Sequence, residues 1–154
     1  MRIAIVAACL ALTSLCCQAQ ESMMAILFKE MPDSLLPYLT KNNRLDMIDF
    51  MEAGMKAEVT NRLEGKSLMT MLTADSLSLQ LNDMLQVDMQ LRRVDEPVDS
   101  SQWLVCVRRT YRLNEKQTAC IVDVYTAAWR LLSSQSDGSS ILRRDEEIFA
   151  QPYF

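Results

Sequence analysis

Apolar residues recur at helical spacing from Met23 to Met55 and alternate from Ala57 to Trp129, so the chain changes its period once. Ser22 stands where a hydroxyl can cap a helix over Met23–Glu30, which Pro32 stops. Pro37 limits Leu35–Leu39 to one turn or a tight loop. Asn42 or Asn43 caps a second helix, from Arg44 to about Met55. At about 100° per residue, Met47, Ile48, Phe50, Met51 and Met55 share one arc of it, and Asp46, Asp49 and Glu52 line the other side. Gly54 is its expected stop.

The second half reads as an antiparallel meander. Strands over Val59–Leu63 and Ser67–Thr73 flank a turn at Glu64-Gly65. Ser76–Leu81 and Leu85–Leu91 alternate cleanly. Matching their apolar faces pairs Leu79 with Val87 and Leu81 with Leu85. Val94–Ser101 holds Asp95, Glu96, Pro97 and Asp99 and reads as a loop. Trp103–Tyr111 and Thr118–Trp129 are rich in β-formers and join through Leu113–Lys116. Ser133–Ser140 reads as a flexible connection. Ile141–Phe154 is a charged tail with an apolar end, open to either a last strand or a loose terminus.

Helices followed by strands give an α+β domain, with one or two N-terminal helices packed on an antiparallel β-meander of about five to seven strands. The organisation is residues 1–19 as a signal peptide, 20–132 as a single α+β domain, and 133–154 as a Ser-rich connection and C-terminal tail. No internal repeat interrupts this order.

The N-terminus carries an export signal. Met1-Arg2 is a basic start, and Ile3–Leu15 is an apolar run shorter than the roughly 20 residues that span a bilayer. Small residues at Cys17 and Ala19 place cleavage after Ala19. Leu15 before Cys16, and Cys16 before Cys17, fit a lipid-attachment site poorly. The expected address is periplasmic or secreted, with a lipoprotein less favoured and no transmembrane span after cleavage.

Composition then removes function classes. Loss of Arg2 with the leader reduces 16 basic residues to 15, against 20 acidic ones. A mildly acidic chain without a basic run excludes nucleic acid as a partner. The chain contains no histidine, which removes Ser-His-Asp and Cys-His nucleophile pairs and His-ligated metal sites. Carboxylate chemistry survives that exclusion. A glycosidase-like hydrolase needs two carboxylates facing one cleft about 5–10 Å apart, and Asp33, Asp46, Asp49 and Asp75 are the candidates.

Three of the five cysteines, Cys9, Cys16 and Cys17, lie in the leader. If Leu113 opposes Lys116, then Cys106 opposes Asp123 and Cys120 opposes Arg109. The two thiols are then about 10 Å apart along the strands, on opposite faces, beyond the roughly 7 Å Cα separation of a disulfide. Two reduced, half-buried thiols are expected. The acidic row Asp46, Asp49, Glu52 reads as the wet side of a helix, because one ridge cannot supply the six to eight oxygens of a calcium site. Met47, Met51 and Met55 read as core filler rather than thioether ligands for copper. The arginines of Arg108–Arg112 read as outward residues of a sheet. No P-loop, dinucleotide fingerprint or nucleophile elbow occurs. The site assignment is therefore no catalytic, cofactor-binding or metal residue, and no cofactor.

Met31-Pro32-Asp33-Ser34-Leu35-Leu36-Pro37-Tyr38-Leu39-Thr40, then Arg44–Asp49, then Leu72–Gln80, resemble an uncharacterised family of small exported Bacteroidales proteins, a domain of unknown function. The resemblance runs roughly from Met23 to Trp129. It implies export in a Gram-negative anaerobe and supplies no activity. The function expected from the sequence is an exported, non-catalytic binding or interaction module of the cell envelope, its partner an envelope protein or a small ligand. The alternatives are the carboxylate-based hydrolase above and a hydrophobic-ligand carrier with an empty cavity between helix and sheet.

Overall fold

The computed structural model describes residues 21–114 and 117–137. The leader at 1–19 and the tail from 138 lie outside the described residues. Two helices, α1 (Met23–Glu30) and α2 (Lys41–Glu52), are linked by a single 3-10 turn at Asp33–Leu35. They precede β1 (Ala57–Thr60), β2 (Lys66–Leu72), β3 (Ser76–Asn82), β4 (Leu85–Val98), β5 (Ser101–Asn114), β6 (Gln117–Thr126) and β7 (Leu131–Asp137). The strands form one antiparallel sheet in sequence order, so the fold is α+β with seven strands.

The helix starts follow from their hydroxyls. Ser22 Oγ accepts from the Ala25 amide at 3.1 Å. The second cap is Thr40 rather than Asn42 or Asn43, and α2 starts earlier than expected. Thr40 Oγ1 accepts from the Asn43 amide at 3.0 Å, and Asn43 Oδ1 accepts from the Thr40 amide at 3.0 Å. This reciprocal pair satisfies two end donors at once. The helix closes at Ala53, and Gly54 takes φ +66° beyond it.

One face of the sheet meets the helices. Leu77, Leu79, Val87, Met89, Leu91, Val105 and Val107 line it, with Met24, Phe28, Met31, Leu36, Leu39 and Met47 opposite, all nearly inaccessible. Leu79 opposes Val87 as the alternation requires, but Leu85 opposes Asn82, because the register shifts between Gln80 and Asn82. That shift keeps both Leu81 and Leu85 buried.

Two stretches read as loops are strand. β4 runs on to Val98 and β5 begins at Ser101, turning on Asp99 and Ser100, both at positive φ (51° and 64°). A register shift between Arg93 and Val98 absorbs Pro97 and the acidic residues that suggested a loop. The Ser-rich stretch from Ser133 also pairs, as β7, with Ser134 opposite Asp123 and Gln135 opposite Val122. Its composition hides a strand whose backbone is held by β6.

Candidate functional site

The stretch from Met31 to Arg44 builds a clamp. Arg44 is 1% exposed although it is charged. Its Nη2 donates to the Met31 carbonyl at 2.7 Å, and its Nη1 donates to Asp33 Oδ1 at 2.9 Å. Arg62 Nη2 reaches the other oxygen of Asp33 at 2.5 Å. The hydrogen bond from Arg44, first, and the charges of both arginines hold the Asp33 carboxyl below its ordinary range. This ties α2 and the β1–β2 turn to the segment after α1.

A second network lies on the helix-side face of β5–β7. Val107 opposes Asp123 and Arg109 opposes Ile121, which makes Arg109 and Asp123 diagonal neighbours on one face. Arg109 Nη1 donates to Asp123 Oδ2, and its Nη2 donates to the Leu35 carbonyl at 3.2 Å. Tyr125 Oη donates to the same carboxylate at 3.3 Å, and Ser134 Oγ on β7 donates to its other oxygen. Burial works against the Arg109 charge, but Tyr125 and Asp123 outweigh it, and the net direction is upward. Burial pushes the Tyr125 hydroxyl up as well, against the pull of Arg109. Arg109 therefore points inward, contrary to its reading as an outward arginine.

The opposite face holds Asp88, which opposes Arg108 and accepts from its Nη2 at 3.1 Å, from Ser78 Oγ at 2.7 Å and from Gln86 Nε2 at 3.1 Å. Asp88 and Asp123 are the buried carboxylates among the described residues. They sit on opposite faces of the sheet, each against an arginine, so they cannot flank one scissile bond. Cys106 and Cys120 are buried, form no disulfide, and both lie on the Asp88 face rather than on opposite faces. Cys120 opposes Thr110 and Cys106 opposes Val124, which makes the offset four residues rather than three, about 13 Å of strand. Burial pushes the Cys106 thiol up, against a weaker pull from Arg92.

The four aspartates named from sequence do not meet in a cleft. Asp33 belongs to the clamp, and Asp46 and Asp49 are exposed on α2. Asp75 accepts from Thr73 and Ser76 in the β2–β3 turn. That turn touches the start of α1, where Met24 N donates to Ala74 O, whereas Asp33 follows its end. An eight-residue helix, about 12 Å long, separates them. Met47 is buried, as a core stripe requires, while Met55 is 54% exposed past the helix end. Sequence reasoning missed Arg44, Asp88, Arg109 and Asp123. For the last two, the signal was a charge at an inward position of an alternating strand, readable only with the register in hand.

The two edges of the sheet differ. β1 lies against α2, and its side chains alternate between buried and exposed. β7 is bonded to β6 alone among the described residues, and every side chain from Leu131 to Ser136 is exposed. Over seven residues this edge offers about 23 Å of backbone with no proline or lysine to blunt it. Between helices and sheet, buried side chains such as Phe28, Met47, Leu79 and Val105 belong to one apolar cluster. A surface groove of about 290 Å³, lined by Met51, Glu52 and Leu72 among others, lies beside the β2–β3 turn.

No helix among the described residues is long and apolar enough to cross a membrane. Residues 14–144 match the model of a family described as "Protein of unknown function (DUF3256)". Comparison with curated proteins gave no match. Among solved structures, a domain of an uncharacterized protein from Porphyromonas gingivalis W83 is similar in fold, with a TM-score of 0.58 and 23% identity, covering 74% of this chain. The chain spans 55% of that structure.

Proposed function

We propose that this chain, which belongs to the DUF3256 family of proteins of unknown function, is an exported, non-catalytic binding module of the cell envelope that takes an extended segment of an envelope protein along β7. The observation that carries this reading is the asymmetry of the sheet: the β1 edge lies against a helix, and the β7 edge is bare among the described residues. Unpaired N–H and C=O groups on such an edge are a template for an added strand. The Asp123 network supports the reading, because it fixes the strand from behind. Ser134 Oγ and the β6 ladder hold β7 in register while its outer side is unpaired among the described residues. Pre-ordering of this kind lowers the entropic cost of binding.

The periplasmic or secreted address rests on the leader sequence, and a Bacteroidales source agrees with the organism of the similar structure. The arginine-paired carboxylates favour a surface binder over a hydrolase. The test is retention of envelope proteins on the immobilised mature chain, compared with the double variant Ser133→Lys/Gln135→Lys. Both positions sit on the face away from Asp123, so the variant adds edge charge without touching the network. Specific retention by the parent and loss in the variant is expected. Equal retention by both sinks the edge assignment, and no retention by either sinks the binding-module reading.

A further inference from the structure

Four non-glycine residues have positive φ among the described residues, namely Glu64, Asp99, Ser100 and Trp129. Three of them lie in two turns that one ion pair joins. Asp99 and Ser100 form the β4–β5 turn, and Trp129 lies in the β6–β7 turn. Arg130, its neighbour, donates from Nε to Asp99 Oδ2 and from Nη2 to Asp99 Oδ1, both at 2.8 Å.

Trp129 is the anomalous member. Its amide donates to Thr126 O at 2.9 Å, and Thr126 N donates to Arg130 O at 2.9 Å, which closes a three-residue hairpin loop. The left-handed position of such a loop is ordinarily filled by glycine, and a bulky side chain at φ 62° is strained there. The indole is 9% exposed and rests on the Tyr125 ring at a centroid distance of 5.7 Å, yet its Nε1–H has no hydrogen-bond partner among the described residues. A strained backbone and an orphaned donor both disfavour this state, and burial of the ring favours it. The pair that pins the corner is itself open to solvent, with Arg130 57% and Asp99 35% exposed, so salt and competing charges can weaken it.

We infer that the Asp99–Arg130 pair is a latch that holds the β6–β7 turn closed over Trp129, and that its release swings the indole outward while the sheet stays folded. Release satisfies the indole donor with water and relaxes φ at Trp129. It also brings an aromatic ring beside Leu131 and Leu132, already 50% and 39% exposed, which makes a continuous apolar anchor at the start of β7. The latch stands whether or not a strand pairs with β7.

The test uses the two tryptophans of the chain. In a Trp103→Phe background the fluorescence reports Trp129 alone. Adding Asp99→Ala is expected to shift the emission to longer wavelength and raise acrylamide quenching on the order of twofold, with an unchanged far-ultraviolet circular dichroism spectrum. Salt near 1 M, where the screening length is about 3 Å, is expected to do the same to the Trp103→Phe protein. Unchanged quenching in a folded Asp99→Ala protein overturns the latch. If that variant does not fold, the salt measurement on the Trp103→Phe protein decides: unchanged quenching there, or a rise that comes with loss of its sheet spectrum, overturns the latch, since the opening is local.

Discussion

Arg109 donates to the carbonyl of Leu35, 74 residues away in sequence, from a guanidinium whose other nitrogen holds Asp123. This joins the segment between the helices to the β5–β6 half of the sheet. Replacing Asp123 with Ala leaves Arg109 mostly buried without its partner carboxylate, and frees Tyr125 and Ser134. Stability is expected to fall by about 3–5 kcal/mol in urea titration, the range for one partner lost from a buried pair. A loss below 1 kcal/mol would show that the network is not structural.

The Arg44 clamp predicts an ordering of variants. Arg44→Met keeps most of the stem packing and loses the hydrogen bonds, and Arg44→Ala loses both. The expected costs are about 1–3 kcal/mol for the first and about 2–5 kcal/mol for the second, read by chemical denaturation. Equal costs would mean that the buried stem contributes nothing.

Acid should release the same clamp. The folded Asp33 carboxyl lies below its ordinary range through the hydrogen bond from Arg44 first, and Glu58 and Asp99 are lowered by Lys56 and Arg130. A depressed carboxylate stabilises the fold above its unfolded pKa, and that contribution disappears as pH falls through the folded value. Melting temperature is therefore expected to drop as pH is lowered from the ordinary carboxylate range, about 4, and to drop less steeply in Asp33→Asn. Parallel curves for parent and variant would remove Asp33 from the explanation.

Much of this architecture was legible in the sequence. The single change of period separated helices from sheet, and the pairing of Leu79 with Val87 followed from alternation. What stayed hidden depended on contacts distant in sequence. Ser133–Asp137 has the composition of a linker, and only pairing with β6 makes it a strand. Thr40 and the Asn42-Asn43 pair are equally good local cap signals, and only the reciprocal bonds of Thr40 with Asn43 decide between them. A two-residue β5–β6 turn with Leu113 opposite Lys116 puts Arg109 and Asp123 on opposite faces, whereas the observed register, one residue different, joins them on one face. Because a register slip moves side chains between faces, the inner network could not be read before the register was known.

The thiols give a further expectation. Cys106 and Cys120 are buried and too far apart to bridge, so the folded mature chain should keep two reduced thiols in air. A thiol reagent should label them slowly in buffer and completely in denaturant, because Cys106 is pushed away from its thiolate form. A mature protein lighter by two hydrogens before reduction would contradict the β5–β6 register.

The claim that an extended partner segment pairs along β7 is tested most directly by amide hydrogen exchange, with and without the envelope proteins retained by the immobilised chain. The account predicts new protection at the β7 amides, 131–137, and little change in β1, whose edge lies against α2. Protection confined to the helices or to the Asp88 face, with β7 exchanging as before, would contradict it.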